Sequence, residues 1–133
     1  MGVLFPDYVP LQSSASPDEF LGFIGDDDAR ARAAAIADLV FAVAYPMLGI
    51  IAFAAVATGV PRVVGTLAIV GSGIADELEN IMVLRNIGAG IDLKQSAIDQ
   101  MLLAGSVKWG LLVTAIVLFL ALAGQRWLES RRA

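Results

Sequence analysis

Three apolar stretches, at residues 33–57, 63–84 and 101–124, dominate the chain, with polar or turn-forming segments between them. As a helix with a rise of about 1.5 Å per residue, the first would be about 37 Å long, enough for the roughly 30 Å hydrocarbon core of a bilayer. The pattern predicts an all-α fold: an integral membrane bundle of three transmembrane helices. Pro46 inside the first stretch removes a helical N–H, which predicts a kink near Ala42. Thr58-Gly59-Val60-Pro61-Arg62 reads as a tight turn. Gly88-Ala89-Gly90 closes the second helix, and Asp92-Leu93-Lys94-Gln95 reads as a capping box that opens the third, with Asp92 as the cap. The segment from Gln125 to Ala133 predicts a continuation of that helix beyond the membrane, with Trp127 at the interface.

Ahead of the spans the pattern is different. Residues 1–15 carry Gly2, Pro6, Pro10, Ser13 and Ser14 without periodicity and read as an extended arm. Residues 16–25 begin with Ser16-Pro17-Asp18-Glu19, a capping box with proline at the first helical position. Phe20, Leu21, Phe23 and Ile24 give this segment one apolar face. It is too short to span, so it is expected to lie in the membrane interface or against the end of the bundle. The rest, 26–133, forms the transmembrane domain. Asp26, Asp27 and Asp28 suit the unpaired N–H groups of a helix start. The spacing and distal glutamate of a calcium loop are missing. No basic segment precedes an apolar run at the N-terminus, so a signal peptide is not expected.

Composition sharpens this picture. Hydrophobic residues make up 58% of the chain, above the roughly 45–50% of soluble domains. There is no cysteine and no histidine. A disulfide framework, a thiolate or imidazole metal site and a Ser-His-Asp triad are therefore excluded. A net charge of −4 lacks the basic footprint of a nucleic-acid partner. Arg30, Arg32, Arg85 and Lys94 would lie on one side of the membrane, and Arg62, Arg126, Arg131 and Arg132 on the other. This tie leaves the positive-inside rule undecided. The acidic arm, without a signal sequence, favours a cytoplasmic N-terminus, and the expected location is the bacterial cytoplasmic membrane.

The polar residues inside the apolar stretches carry the candidate chemistry. Asp38 is about 8 Å into the first span, Glu79 and Asp76 about 8 and 12 Å from the end of the second, and Lys108 about 10 Å into the third. Antiparallel helices bring all of them to one depth. Asp38 and Tyr45 share a stripe with Phe41, and Asp76, Glu79 and Asn80 share another with Ser72 and Gly73. Glu77 points away from that stripe. Each charged group costs ~2.5–3.5 kcal/mol in the hydrocarbon, so these groups should face inward and pair. Lys108 neutralises one of the three carboxylates, and a bound proton or cation would relieve the excess. Asp38, Tyr45, Asp76, Glu79, Asn80 and Lys108 are thus the candidate binding residues. No catalytic residue, metal ligand or cofactor is expected.

The pattern Asp38…Phe41…Tyr45, then Asp76-x-x-Glu79-Asn80, then Lys108-Trp109 resembles a group of small bacterial three-span membrane proteins. The resemblance runs from about Ala29 to Gly124. It implies the fold and the polar site, and no reaction. The expected function is to bind a cation, an amine or a polar lipid head group in the acidic pocket. Alternatives are a structural accessory subunit of a larger membrane complex or a proton- or cation-conducting homo-oligomer. An enzyme is least expected, because no nucleophile has a base beside it. The expected partners are membrane lipids and either further copies or other membrane subunits, since Gly65, Gly71 and Gly73 offer small surfaces for helix packing.

Overall fold

A computed structural model describes residues 11–25 and 28–132. It is all-α, with helices α1 (Pro17–Ile24), α2 (Asp28–Val56), α3 (Gly59–Ala89) and α4 (Gln95–Ser130), and a 3₁₀ turn at Gly90–Asp92. α3 packs along both α2 and α4, which barely meet each other. A groove is therefore left between α2 and α4, with α3 as its floor. α2 and α4, at 29 and 36 residues, are long and apolar enough to cross a membrane. α3 has 31 residues but gathers Asp76, Glu77 and Glu79 within about one turn.

The helix ends follow from local chemistry. Ser16 Oγ accepts the Glu19 N–H at 3.2 Å, and the Glu19 carboxylate accepts the Ala15 N–H at 2.8 Å. The capping box forms, with its return bond one residue upstream of the cap. Gly25 and Gly90 end α1 and α3 with φ of 56° and 53°, a region in which a Cβ is strained. At the second box the structure differs from the sequence reading. Asp92 belongs to the 3₁₀ turn, and α4 starts two residues after Leu93, with Lys94 at the cap position. Burial of the extended Leu93 side chain in the core sets this start. The Gln95 amide then donates to Asp99 at 2.9 Å and to the Ala15 carbonyl at 3.0 Å. The turn after α2 is also shorter than 58–62, because α3 already begins at Gly59 and holds Pro61 in its first turn, where its missing N–H costs nothing.

α2 continues as one helix through Pro46. The Ala42 carbonyl, which loses its partner to the proline, faces Gly73 of α3. A Cβ built at Gly73 would lie 3.0 Å from that oxygen and would overlap the Pro46 ring. Gly65 makes room for the Phe53 ring in the same way, and a Cβ at Gly71 would touch Leu111 of α4 at 3.0 Å. The small residues of α3 are therefore filled from within the chain, by α2 and α4.

Two apolar clusters bracket the polar middle. One joins Leu11, Phe20, Ala35, Val83, Ile98 and Met101. The other joins Phe53, Ala68, Ile69 and Ala115, with Phe119 edge-on to Phe53 at 5.8 Å. The first cluster corrects the reading of an extended arm through residue 15. Residues 1–10 lie outside the described residues, but Leu11 and Gln12 are helical and Leu11 is buried. α1 likewise buries Phe20 and Ile24 against the bundle and leaves Phe23 exposed. Leu11→Ala is expected to cost about 2 kcal/mol, the low end for a buried leucine because the arm can follow the smaller side chain inward. Comparing its melting temperature with that of Ser13→Ala, an exposed neighbour, checks this.

Candidate functional site

The polar stripe of α3 is continuous. Ser72, Asp76, Glu79 and Asn80 recur at helical spacing and all are buried. Because α3 lies between the other long helices, this face meets both, and Lys108 of α4 reaches into it. The Lys108 ammonium lies 3.1 Å from Asp76 Oδ1 and 2.5 Å from Glu79 Oε2, so one cation bridges two carboxylates. Asn80 Nδ2 also donates to Asp76 Oδ1, at 3.4 Å. Among the described residues, the Lys108 ammonium is the partner of Glu79 Oε2. Gly105, one turn before Lys108, makes space for this carboxylate, as a Cβ there would sit 2.8 Å from Glu79 Oε1.

Tyr45 joins the network from α2. Its hydroxyl lies 3.0 Å from Ser72 Oγ, and Ser72 Oγ donates to the Lys108 carbonyl at 3.1 Å. Serine has one hydroxyl proton, so Tyr45 is the donor of the first bond. Tyr45→Phe removes one interhelical hydrogen bond and is expected to cost about 1 kcal/mol, the typical net contribution of such a bond. A chemical unfolding series with Ser72→Ala as the paired variant checks this, and the two losses should overlap rather than add.

Asp38 is placed differently. It is half-buried on α2 and has no basic partner among the described residues. Its carboxylate accepts from the Gln12 amide at 3.4 Å, and the same Gln12 nitrogen donates to Asn80 Oδ1 at 3.2 Å. A carboxylate can only accept, so the Gln12 atom that faces it is the NH₂ group. Gln12 is the site residue that sequence reasoning missed. It lies in a segment without periodicity, and only the burial of Leu11 beside it carries it to the site.

Of these groups, Gln12, Asp38, Tyr45, Asp76 and Lys108 line the groove between α2 and α4, a cavity of about 600 Å³. Asp76 and Lys108 form its polar floor, and Asp38 and Gln12 lie along one edge. Aromatic rings make the walls. Phe41 and Tyr45 stack at 5.3 Å with a 39° tilt on α2, and Trp109 stands on α4 with the Lys108 ammonium 5.6 Å from its ring centre. Phe41 shares the groove-lining stripe of Asp38 and Tyr45 and, like Trp109, is 60% exposed. The structure thus brings Tyr45, Asp76, Glu79, Asn80 and Lys108 into one network and adds Asp38 through Gln12. Among the described residues no three acidic side chains converge as a metal cage. The groove offers acceptors, a negative edge and aromatic faces, which suits binding. Compared with protein-family models, with curated proteins and with solved structures, the chain has no match.

Proposed function

We propose that this is a three-span membrane protein whose acidic groove binds a cation, an amine or an amine-bearing lipid head group. The membrane reading is supported by the exposure of its most apolar helices. Only 17% of the most apolar part of α2 and 11% of that of α4 is buried within the chain. A core helix of a soluble protein would be mostly buried, and these faces need lipid. α3 matches α2 and α4 in length and packs along both, so its acids are sheltered by protein while its neighbours meet the hydrocarbon. Three spans place α1 and the α3–α4 connection on one side of the membrane, and the α2–α3 turn and the C-terminal end on the other. Cysteines introduced at Asp18 and Lys94 should then react with an impermeant maleimide from one side, and those at Arg62 and Ser130 from the opposite side. Labelling of Asp18 and Lys94 from opposite sides would remove the third span.

The observation that carries the binding reading is the charge imbalance at the groove. Lys108 serves both Asp76 and Glu79, and Asp38 faces the cavity with, among the described residues, an amide and no cation paired to it. A cation that enters along Asp38 meets a carboxylate and the π-faces of Phe41 and Trp109. Added organic cations should raise the melting temperature of the wild type in detergent, and Asp38→Asn should remove that rise without lowering the baseline. An equal response in both proteins would assign the polar network to helix packing alone. The charge excess and the exposed aromatic rim fit a ligand better than a purely structural subunit or a conducting oligomer.

A further inference from the structure

We propose that a pocket at the α3–α4 connection holds the phosphodiester group of a membrane phospholipid, whose chains run down the outer faces of the two helices. The site is separate from the acidic groove. It rests on the three-span reading above, which puts this connection at the membrane surface. The cavity measures about 240 Å³ and is lined by Arg85 from the end of α3 and Lys94 from the start of α4. Both side chains are exposed, and neither has a hydrogen-bond or ion-pair partner among the described residues. Asp92 lines the same pocket. Two cations against one carboxylate leave one net positive charge, equal and opposite to that of a phosphodiester.

Two further features suit an anion rich in oxygen. Lys94 holds the cap position of α4 but has no acceptor in its side chain, and no side chain caps this helix end. The Ala97 N–H turns back to the Lys94 carbonyl at 3.0 Å, so those of Gln95 and Ser96 remain for an outside acceptor. Asn86 also lines the pocket and is only 5% exposed. Its NH₂ group has only the Met101 thioether as a partner, at 3.9 Å, and its carbonyl oxygen has none among the described residues. A thioether is a weak acceptor, so the amide gives up little by turning its NH₂ group into the pocket.

Below the pocket the surface turns apolar on both helices. Ile74, Leu78 and Ile81 share one stripe of α3 with Arg85, and Leu103 and Val107 share one stripe of α4 with Ser96 and Gln100, which line the pocket. All five apolar side chains are exposed. Because α3 and α4 pack along each other through a short connection, both stripes lead from the pocket toward the middle of the membrane. A charged pocket above two apolar tracks matches the outline of a phospholipid. A free phosphate would share the head chemistry and leave the tracks unused.

The test is native mass spectrometry of the full-length protein, released from a non-ionic detergent, with three probes. They are dioleoylphosphatidylglycerol, dioleoylglycerol, which has the same chains without phosphate, and dimethyl phosphate, the charged group alone. The phospholipid should bind at least about tenfold more tightly than either of the others. Arg85→Gln and Lys94→Gln should each weaken it about fivefold, and the double variant should bring it to the level of dioleoylglycerol. Arg62→Gln, at the opposite end of the bundle, should change nothing. Ile81→Ser should weaken the phospholipid and leave dimethyl phosphate as it was. Equal phospholipid binding by wild type and the double variant would overturn the site. Equal affinity for dimethyl phosphate and the phospholipid would overturn a lipid as its ligand. Either result, with cysteines introduced at Asp18 and Lys94 labelled from one side, would sink this site alone. Labelling of the two from opposite sides would overturn the membrane reading beneath it.

Discussion

Lys108→Met is expected to destabilise the protein by about 3–5 kcal/mol, the cost of stripping a buried ion pair of one partner. Methionine keeps the volume and helix propensity of the site, so the loss reports charge. Asp76 and Glu79, only 4% and 3% exposed, would be left facing each other one helical turn apart. At that exposure they have little contact with water that could screen the repulsion. The remedy should be specific: adding Asp76→Asn and Glu79→Gln to Lys108→Met removes the uncompensated charges and should recover most of the loss. Unfolding in mixed micelles, followed by circular dichroism, measures both steps. The single variant should also regain stability as the pH falls, because a bound proton replaces the missing ammonium charge, whereas the triple variant should not. A stable single variant would show that water or lipid head groups already reach these carboxylates.

The second large effect is expected at Gly73, where the α2 backbone at Ala42 and the Pro46 ring lie against α3. Gly73→Leu should cost about 3 kcal/mol, the upper end for overpacking, because the atoms in the way cannot yield. They are the ring of Pro46 and the backbone oxygen of Ala42. At Gly105 a new methyl group would meet a movable carboxylate end instead, so Gly105→Ala should cost less in stability and act by loosening Glu79 from Lys108. Melting temperatures of the two variants side by side, with the amine response as a second readout, separate a backbone clash from a disturbed ion pair. If Gly73→Leu melts with wild type, the close approach of α2 and α3 is wrong.

The polar network was legible in the sequence wherever one helix alone decided it. Ser72, Asp76, Glu79 and Asn80 sit at helical spacing in an apolar helix, and charge neutrality then calls for Lys108 against them. Ser16 was legible because a capping box is a local bond pattern. Asp92 was misleading for the complementary reason: the same local pattern is present, but burial of Leu93 moves the helix start downstream. Gln12 could not be read at all. Its role depends on two acceptors 26 and 68 residues away, and nothing in its own segment marks it. Phe41 follows the Asp38 stripe in phase and lines the groove, yet it stays largely exposed, because the groove is open and phase alone cannot say whether a neighbour closes it.

The placement of the acid-rich helix between two apolar ones also bears on how the protein is made. For a chain that spans three times, α2 carries a single acid deep in its apolar stretch and can leave the translocation channel for lipid unaided. α3 emerges with Asp76, Glu77 and Glu79 before any counter-charge has been synthesised, and each such residue costs ~2.5–3.5 kcal/mol at mid-membrane. Their partner, Lys108, lies 29 residues beyond Glu79 in the chain. On the proposed three-span reading, α3 would wait, beside α2 or within the insertion machinery, until α4 arrives and the two enter lipid as a pair. A nascent chain that stops at Gln100 lacks that partner and should be recovered as a one-span protein with α3 still in water, a substrate for quality-control proteolysis. On that proposed topology, membrane insertion and assembly of the polar core would be a single event.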